Sequence, residues 1–161
     1  MKVNQKGFTL VELLVVVSII GLLSTLAIVA LGSARVKARD AKRVSDIRQL
    51  QTAVELFYSD KNGYPLVAAG GLVLGAGAGS VLSEDGFVAA ADPALKSVYM
   101  GKVPKNPLPG GKDYKYTGLK ADRTECAVLG ECVAYKLEFK LETNSTGLDA
   151  GDRVATPEGI N

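Results

Sequence analysis

One carboxylate stands inside an otherwise uncharged apolar run. It is Glu12, within FTLVELLVVVSIIGLLSTLAIVAL (residues 8–31). A charge at the centre of a membrane helix costs from about 2.5 kcal/mol upward. Glu12 therefore needs either a partner or a short reach to the lipid headgroups. Two thiols, Cys126 and Cys132, bracket AVLGE. In an oxidising compartment they would close a small loop, contributing up to about 2–3 kcal/mol by the chain-entropy model; free thiols are the alternative. Their spacing is not the C-x-x-C of a redox pair. Asp149, Asp152 and Glu158 could offer oxygen ligands to calcium, but without EF-hand spacing, and a solvated acidic tail is the plainer reading. The chain has no His, so the commonest general base and the commonest metal ligand are both missing. Two Cys alone do not fill a four-ligand zinc site. GAGAGS (residues 75–80) lacks the lysine and the strand–loop–helix frame of a phosphate-binding loop. No catalytic triad or nucleophile elbow is present. The expectation is a chain that is not an enzyme, with calcium as the one cofactor to consider.

The element that must hold Glu12 is a helix. Residues 8–31 would span about 36 Å, enough to cross a hydrocarbon core of about 30 Å. MKVNQKG precedes it, short and basic. The apolar run is too long for a secretory h-region, and Gly32-Ser33-Ala34 is a poor A-x-A site. An ordinary membrane anchor explains the length but not Glu12. A third reading treats residues 1–7 as a leader that is removed while the apolar helix stays.

The order Lys6-Gly7-Phe8-Thr9-Leu10 with Glu12 resembles the class III signal of type IV pilins and type II secretion pseudopilins. The resemblance implies that a prepilin peptidase cuts between Gly7 and Phe8, with Lys6 before the cut. It implies that the new N-terminus at Phe8 is methylated. It also implies that Glu12 acts in assembly, pairing with the Phe8 amine of a neighbouring subunit, and that Gly21 can loosen the helix. Pilins often carry a proline in this half of the helix; this chain has none there. The Tyr64-Pro65 step after Gly63 resembles the helix exit of pilins and major pseudopilins. The family also offers a calcium loop near the C-terminus in major pseudopilins, and a disulfide loop in many pilins. Charge flanks read naively place the head in the cytoplasm, because Arg35, Lys37, Arg39, Lys42, Arg43 and Arg48 follow the helix. The resemblance implies the reverse.

Beyond the membrane segment, Val44, Ile47, Leu50, Val54 and Phe57 recur every three to four residues, the stripe of an amphipathic helix. One helix is expected from about Phe8 to Ser59, ended by Asn62-Gly63 and Pro65. The band from Arg35 to Arg48 is a candidate contact for DNA or anionic lipid, against a plainly solvated face. Residues 66–83 read as a flexible apolar loop. Asp92-Pro93 opens a short helix ending near Gly101. Tyr114–Thr117 and Val133–Glu142 read as strands. The second alternates strictly, with Val133, Tyr135, Leu137, Phe139 and Leu141 on one face and Lys136, Glu138, Lys140 and Glu142 on the other. The tail after Asn144 reads as loosely ordered, with Asn144-Ser145-Thr146 a formal glycosylation triplet.

The fold expected is α+β, a lollipop with a long N-terminal helix packed on a small antiparallel sheet. The divisions are a leader (1–7), a transmembrane or filament-core half-helix (8–31), an amphipathic half-helix (32–60) and a head (61–161). Removing Lys2 and Lys6 takes 19 basic residues to 17, against 17 acidic ones, a neutrality that suits side-by-side packing and argues against a dedicated nucleic-acid binder. The function expected is a structural subunit of a type IV pilus-like filament serving adhesion, motility or DNA uptake. The alternatives are a major pseudopilin of type II secretion and, more remotely, a membrane-anchored binding or enzyme domain. The expected partners are like subunits, the prepilin peptidase, an assembly-platform protein and the membrane, with DNA a further candidate. The chain would be single-pass in the cytoplasmic membrane and then part of an extracellular or periplasmic filament.

Overall fold

A computed structural model describes residues 7–89, 97–128 and 130–161. The fold is α+β: one long helix, α1 (Leu10–Lys61), and antiparallel sheets. The chain divides into two compact units, one ending at Val36 and one spanning Lys37–Asn161.

In the first unit α1 carries large apolar side chains on all sides, solvent-exposed from Leu10 at 77% through Leu31 at 51%. It is long and apolar enough to cross a membrane. Two of its hydroxyls are satisfied locally: Ser18 donates to the Val15 carbonyl and Thr25 to the Leu22 carbonyl, each at 2.8 Å.

In the second unit the stripe predicted from spacing is the core. Val44, Ile47, Leu50, Val54 and Phe57 are all 2% exposed or less. α1 stops where the sequence places the stop, but through Asn62 rather than Gly63. Asn62 adopts φ 54°, the left-handed cap conformation, and its N–H donates to the Tyr58 carbonyl at 2.8 Å. Tyr64 and Pro65 then turn inward. Tyr64 lies edge-on to Tyr135, with ring centroids 4.8 Å apart, and the Tyr116 hydroxyl donates to the Pro65 carbonyl at 2.9 Å.

The larger sheet contains β1 (Leu72–Val73), β5 (Lys115–Leu119), β6 (Ala134–Leu141), β7 (Gly151–Thr156) and β8 (Gly159–Ile160), in that spatial order. The smaller has β2 (Val81–Ser83) between β3 (Gly86–Val88) and β4 (Val98–Met100). β6 alternates as predicted, with Tyr135, Leu137, Phe139 and Leu141 buried. Val133 does not join that face. It lies before the strand, 46% exposed, because it follows the disulfide-closed loop rather than the pleat.

Three further expectations need correction. The tail is not loose: β7 pairs with β6 from Leu137↔Ala155 to Leu141↔Gly151, and β8 closes the edge. Its small and polar residues hid the strand because burial there comes from pairing, not from an apolar run. Residues 66–83 are not one flexible loop, since β1, a 3-10 turn (Gly77–Gly79) and β2 lie within them. Leu74, Val81 and Leu82 there are buried at 3% or less. The helix opening at Asp92-Pro93 lies outside the described residues, but it does not extend to Gly101, since Val98–Met100 is a strand.

Candidate functional site

The start of α1 is built by Thr9 and Glu12. The Thr9 N–H and the Thr9 hydroxyl both donate to the Glu12 carboxylate at 2.8 Å, and the Glu12 N–H donates to the Thr9 hydroxyl oxygen at 3.2 Å. This is a capping box, the T-x-x-E reciprocal bond that satisfies donors left open in the first helical turn. It places the carboxylate where the helix dipole favours it. It also explains why the helix begins at Leu10 and not at Phe8: Thr9 is the cap. The spacing was visible in the sequence and marks a role for Glu12 within its own chain. Gly7 and Phe8 precede the helix, exposed and in non-helical backbone; Lys6 lies outside the described residues.

The two thiols are joined. Cys126 and Cys132 form a disulfide with Cα atoms 5.4 Å apart, at 6% and 0% exposure. Gly118 on β5 makes room for it. A Cβ there would lie 2.8 Å from the Cys126 sulfur, 3.2 Å from the Cys132 sulfur and 3.1 Å from the Pro65 carbonyl. The loop also grips the helix exit, since the Tyr64 N–H donates to the Cys132 carbonyl at 2.8 Å.

The acidic candidates near the C-terminus do not converge. Asp149 accepts from the Asn144 side chain at 3.2 Å and faces Arg153 at 3.9 Å, while Asp152 lies in β7 opposite Lys140. Among the described residues no group of three or more His, Cys, Asp or Glu side chains is placed to hold a metal.

Spacing did not reveal a second polar assembly. Arg43 is fully buried. Its guanidinium donates to Asp40 and to Glu142 at 2.6 Å each, to the Asn106 side chain at 2.7 Å, to the Pro107 carbonyl at 2.9 Å and to the Pro109 carbonyl at 3.5 Å. Arg39 grips Glu142 through two bonds, at 2.8 and 2.9 Å, the bidentate fork that only Arg offers. Burial would raise the Asp40 carboxyl. The N–H groups of Glu142 and Thr143, the Arg43 guanidinium and the Thr143 hydroxyl outweigh it and hold Asp40 below its ordinary value. The Arg39 guanidinium holds Glu142 low, against partial burial and with help from Arg43. Gly110 and Gly111 close over this cluster with positive φ. A Cβ at Gly111 would lie 2.7 Å from Arg43 Nε, and one at Gly110 2.6 Å from the Glu142 carboxyl carbon.

The basic band is thus not uniformly solvated, nor wholly free for DNA or lipid. Arg39 and Arg43 turn inward, and Lys42 pairs with Asp46 at 3.1 Å. Asp46 also accepts from the buried Tyr114 hydroxyl at 3.1 Å. Burial, then the nearby Asp46 carboxylate, pushes that phenol well up. Asp40 and Arg43 continue the three-to-four spacing of the buried stripe toward the N-terminus, a signal that marks their face but not their partners.

Residues 2–28 match the family model described as the prokaryotic N-terminal methylation motif. The chain is 41% identical over 69 residues to the type II secretion system core protein G of Aeromonas hydrophila, covering 43% of this chain and 48% of that one. It is 30% identical over 117 residues to the core protein G of Vibrio cholerae, covering 70% of each chain. It is 36% identical over 61 residues to the type IV major pilin protein PilA of Myxococcus xanthus, covering 38% of this chain and 28% of that one. The chain spans about half the length of the first curated relatives it matches. No solved structure matches it. The long apolar helix opened by Thr9 and Glu12, the antiparallel head and a likeness that runs through most of both chains lead to one conclusion: the chain belongs to the family of type IV pilins and type II secretion pseudopilins.

Proposed function

We propose that this chain is a structural subunit of a type II secretion pseudopilus, and not an enzyme. The observation that carries the reading is the 117-residue likeness to the Vibrio cholerae core protein G, which reaches far into the head, whereas the likeness to the Myxococcus pilin covers 61 residues. The balance between the two filament types therefore moves from the surface pilus expected from sequence toward the pseudopilus. In this reading a prepilin peptidase removes residues 1–7 and Phe8 is methylated. The subunit waits as a single-pass protein of the cytoplasmic membrane, and an assembly platform stacks it with like subunits into a periplasmic filament. The exposed apolar half of α1 then leaves lipid for an equally apolar bundle. Glu12 exchanges its Thr9 bonds for the Phe8 amine of a neighbour.

A surface pilin is the second reading, favoured by the closed Cys126–Cys132 loop and the Myxococcus likeness. Two measurements test these readings. Intact mass of the membrane-extracted protein, with and without the peptidase, should show loss of residues 1–7 and one added methyl group; a mature chain still beginning at Met1 overturns both. Deleting the chain should leave secreted proteins in the periplasm. Normal secretion, with this chain abundant in sheared surface filaments, would favour the pilin.

A further inference from the structure

Leu108 is 78% exposed, the most exposed large apolar side chain of the unit Lys37–Asn161 among the described residues. It is also unusually fixed. Proline stands on both sides of it. The carbonyls of Pro107 and Pro109 both accept from the buried Arg43 guanidinium, and Asn106 donates to the Gly110 carbonyl at 2.7 Å. A side chain held out on a braced loop loses little conformational entropy on docking. Lys102 and Lys105 lie exposed on the same loop, giving the knob a basic rim.

A largely apolar groove lies elsewhere on the same unit. It has a volume of about 470 Å³, and its lining includes Leu66, Val67, Ala68, Ala69, Cys126 and Glu125. The Glu125 carboxylate is fixed by the Gly70 N–H at 2.8 Å. The knob is tied to α1 at Arg43, while the groove follows directly on the end of α1 at Lys61. Each is held in its own place, the knob by Arg43 and the groove by the Gly70–Glu125 bond. A contact between two copies through these surfaces is head-to-tail, which builds an open helix unless its rotation closes into a ring.

We propose that Leu108 of one copy inserts into the 66–69/125–127 groove of a second copy of this chain, with Lys105 facing Glu125. The proposal rests on the filament reading and names the contact between heads.

The test uses the full-length chain in cells carrying its assembly machinery. A photocrosslinking benzoyl-phenylalanine replaces Leu108, and mass spectrometry maps the adduct. The expected product is a crosslink between two copies at residues 66–69 or 125–127. Leu108→Asp should leave membrane level and processing unchanged but weaken each contact about tenfold or more, shortening the filaments. Lys105→Glu should weaken assembly, and combining it with Glu125→Lys should restore part of it. Adducts only to lipid or to another protein, or Leu108→Asp filaments of normal length, would overturn the proposal while leaving the filament reading intact. If the unsubstituted chain makes no filament at all, the filament reading fails, and absence of the copy-to-copy adduct overturns the contact as well.

Discussion

Arg43 carries a full charge with no exposed surface, so its stability rests on the carboxylates and carbonyls around it. Removing one member of a buried ion pair costs about 3–5 kcal/mol, because the other charge is left uncompensated. Arg43→Met should therefore destabilise the head by that amount in urea unfolding of the full chain in detergent. Adding Asp40→Asn should recover part of the loss. A double variant no more stable than the single would show that Asp40 is not the stranded charge. The cluster also sets an acid limit. Asp40 and Glu142 both sit below their ordinary values of 3.8 and 4.5. Their stabilising contribution is complete above those values and is lost as pH falls through the lower folded ones. Unfolding midpoints should fall steadily from about pH 5 to pH 3, and Asp40→Asn should flatten that slope. Glu12 acts at the same scale with a different chemistry. Thr9→Ala removes its hydroxyl partner and should loosen the first turn by about 1 kcal/mol, seen as faster amide exchange at Leu10–Leu13 in micelles.

At the scale of elements, the helix exit is where several parts meet. Asn62 caps α1, Tyr64 binds the Cys132 carbonyl, and the disulfide rests on Gly118. Gly118→Ala would press a methyl group into the Cys126 sulfur and should cost about 1–3 kcal/mol, the usual range for overpacking. A cost near zero would mean that β5 can shift without disturbing the loop. Replacing both cysteines with serine should cost about 2–3 kcal/mol by loop-entropy reasoning. The loss should concentrate at the exit, with amide protection at Tyr64 and Val133 falling before that of β6 and β7. Uniform loss across the sheet would count against a local clamp.

At the scale of the molecule, the apolar half of α1 and the braced Leu108 stand exposed. Monomeric soluble proteins rarely show contiguous apolar surface of that extent, and such surface marks a membrane or a partner. The sequence by itself determined the apolar span, the buried stripe from Val44 to Phe57, the helix stop and the alternating strand β6. Each is a periodic pattern, and periodicity survives without coordinates because one face of a helix or strand must be apolar to be buried. The motif around Gly7, Phe8 and Glu12 was equally legible, since it is read from consecutive residues. Only the tertiary structure decided the remainder. Arg39 and Arg43 looked like solvated cations because their partner Glu142 lies about a hundred residues away, in the chain segment after β6. The terminal strands were hidden because Gly151–Thr156 gains its burial from pairing with β6 and not from its own composition. The disulfide stood open between two readings until the fold brought the thiols over a glycine. Charge and pairing are set by neighbours distant in sequence, and a one-dimensional pattern does not carry those neighbours.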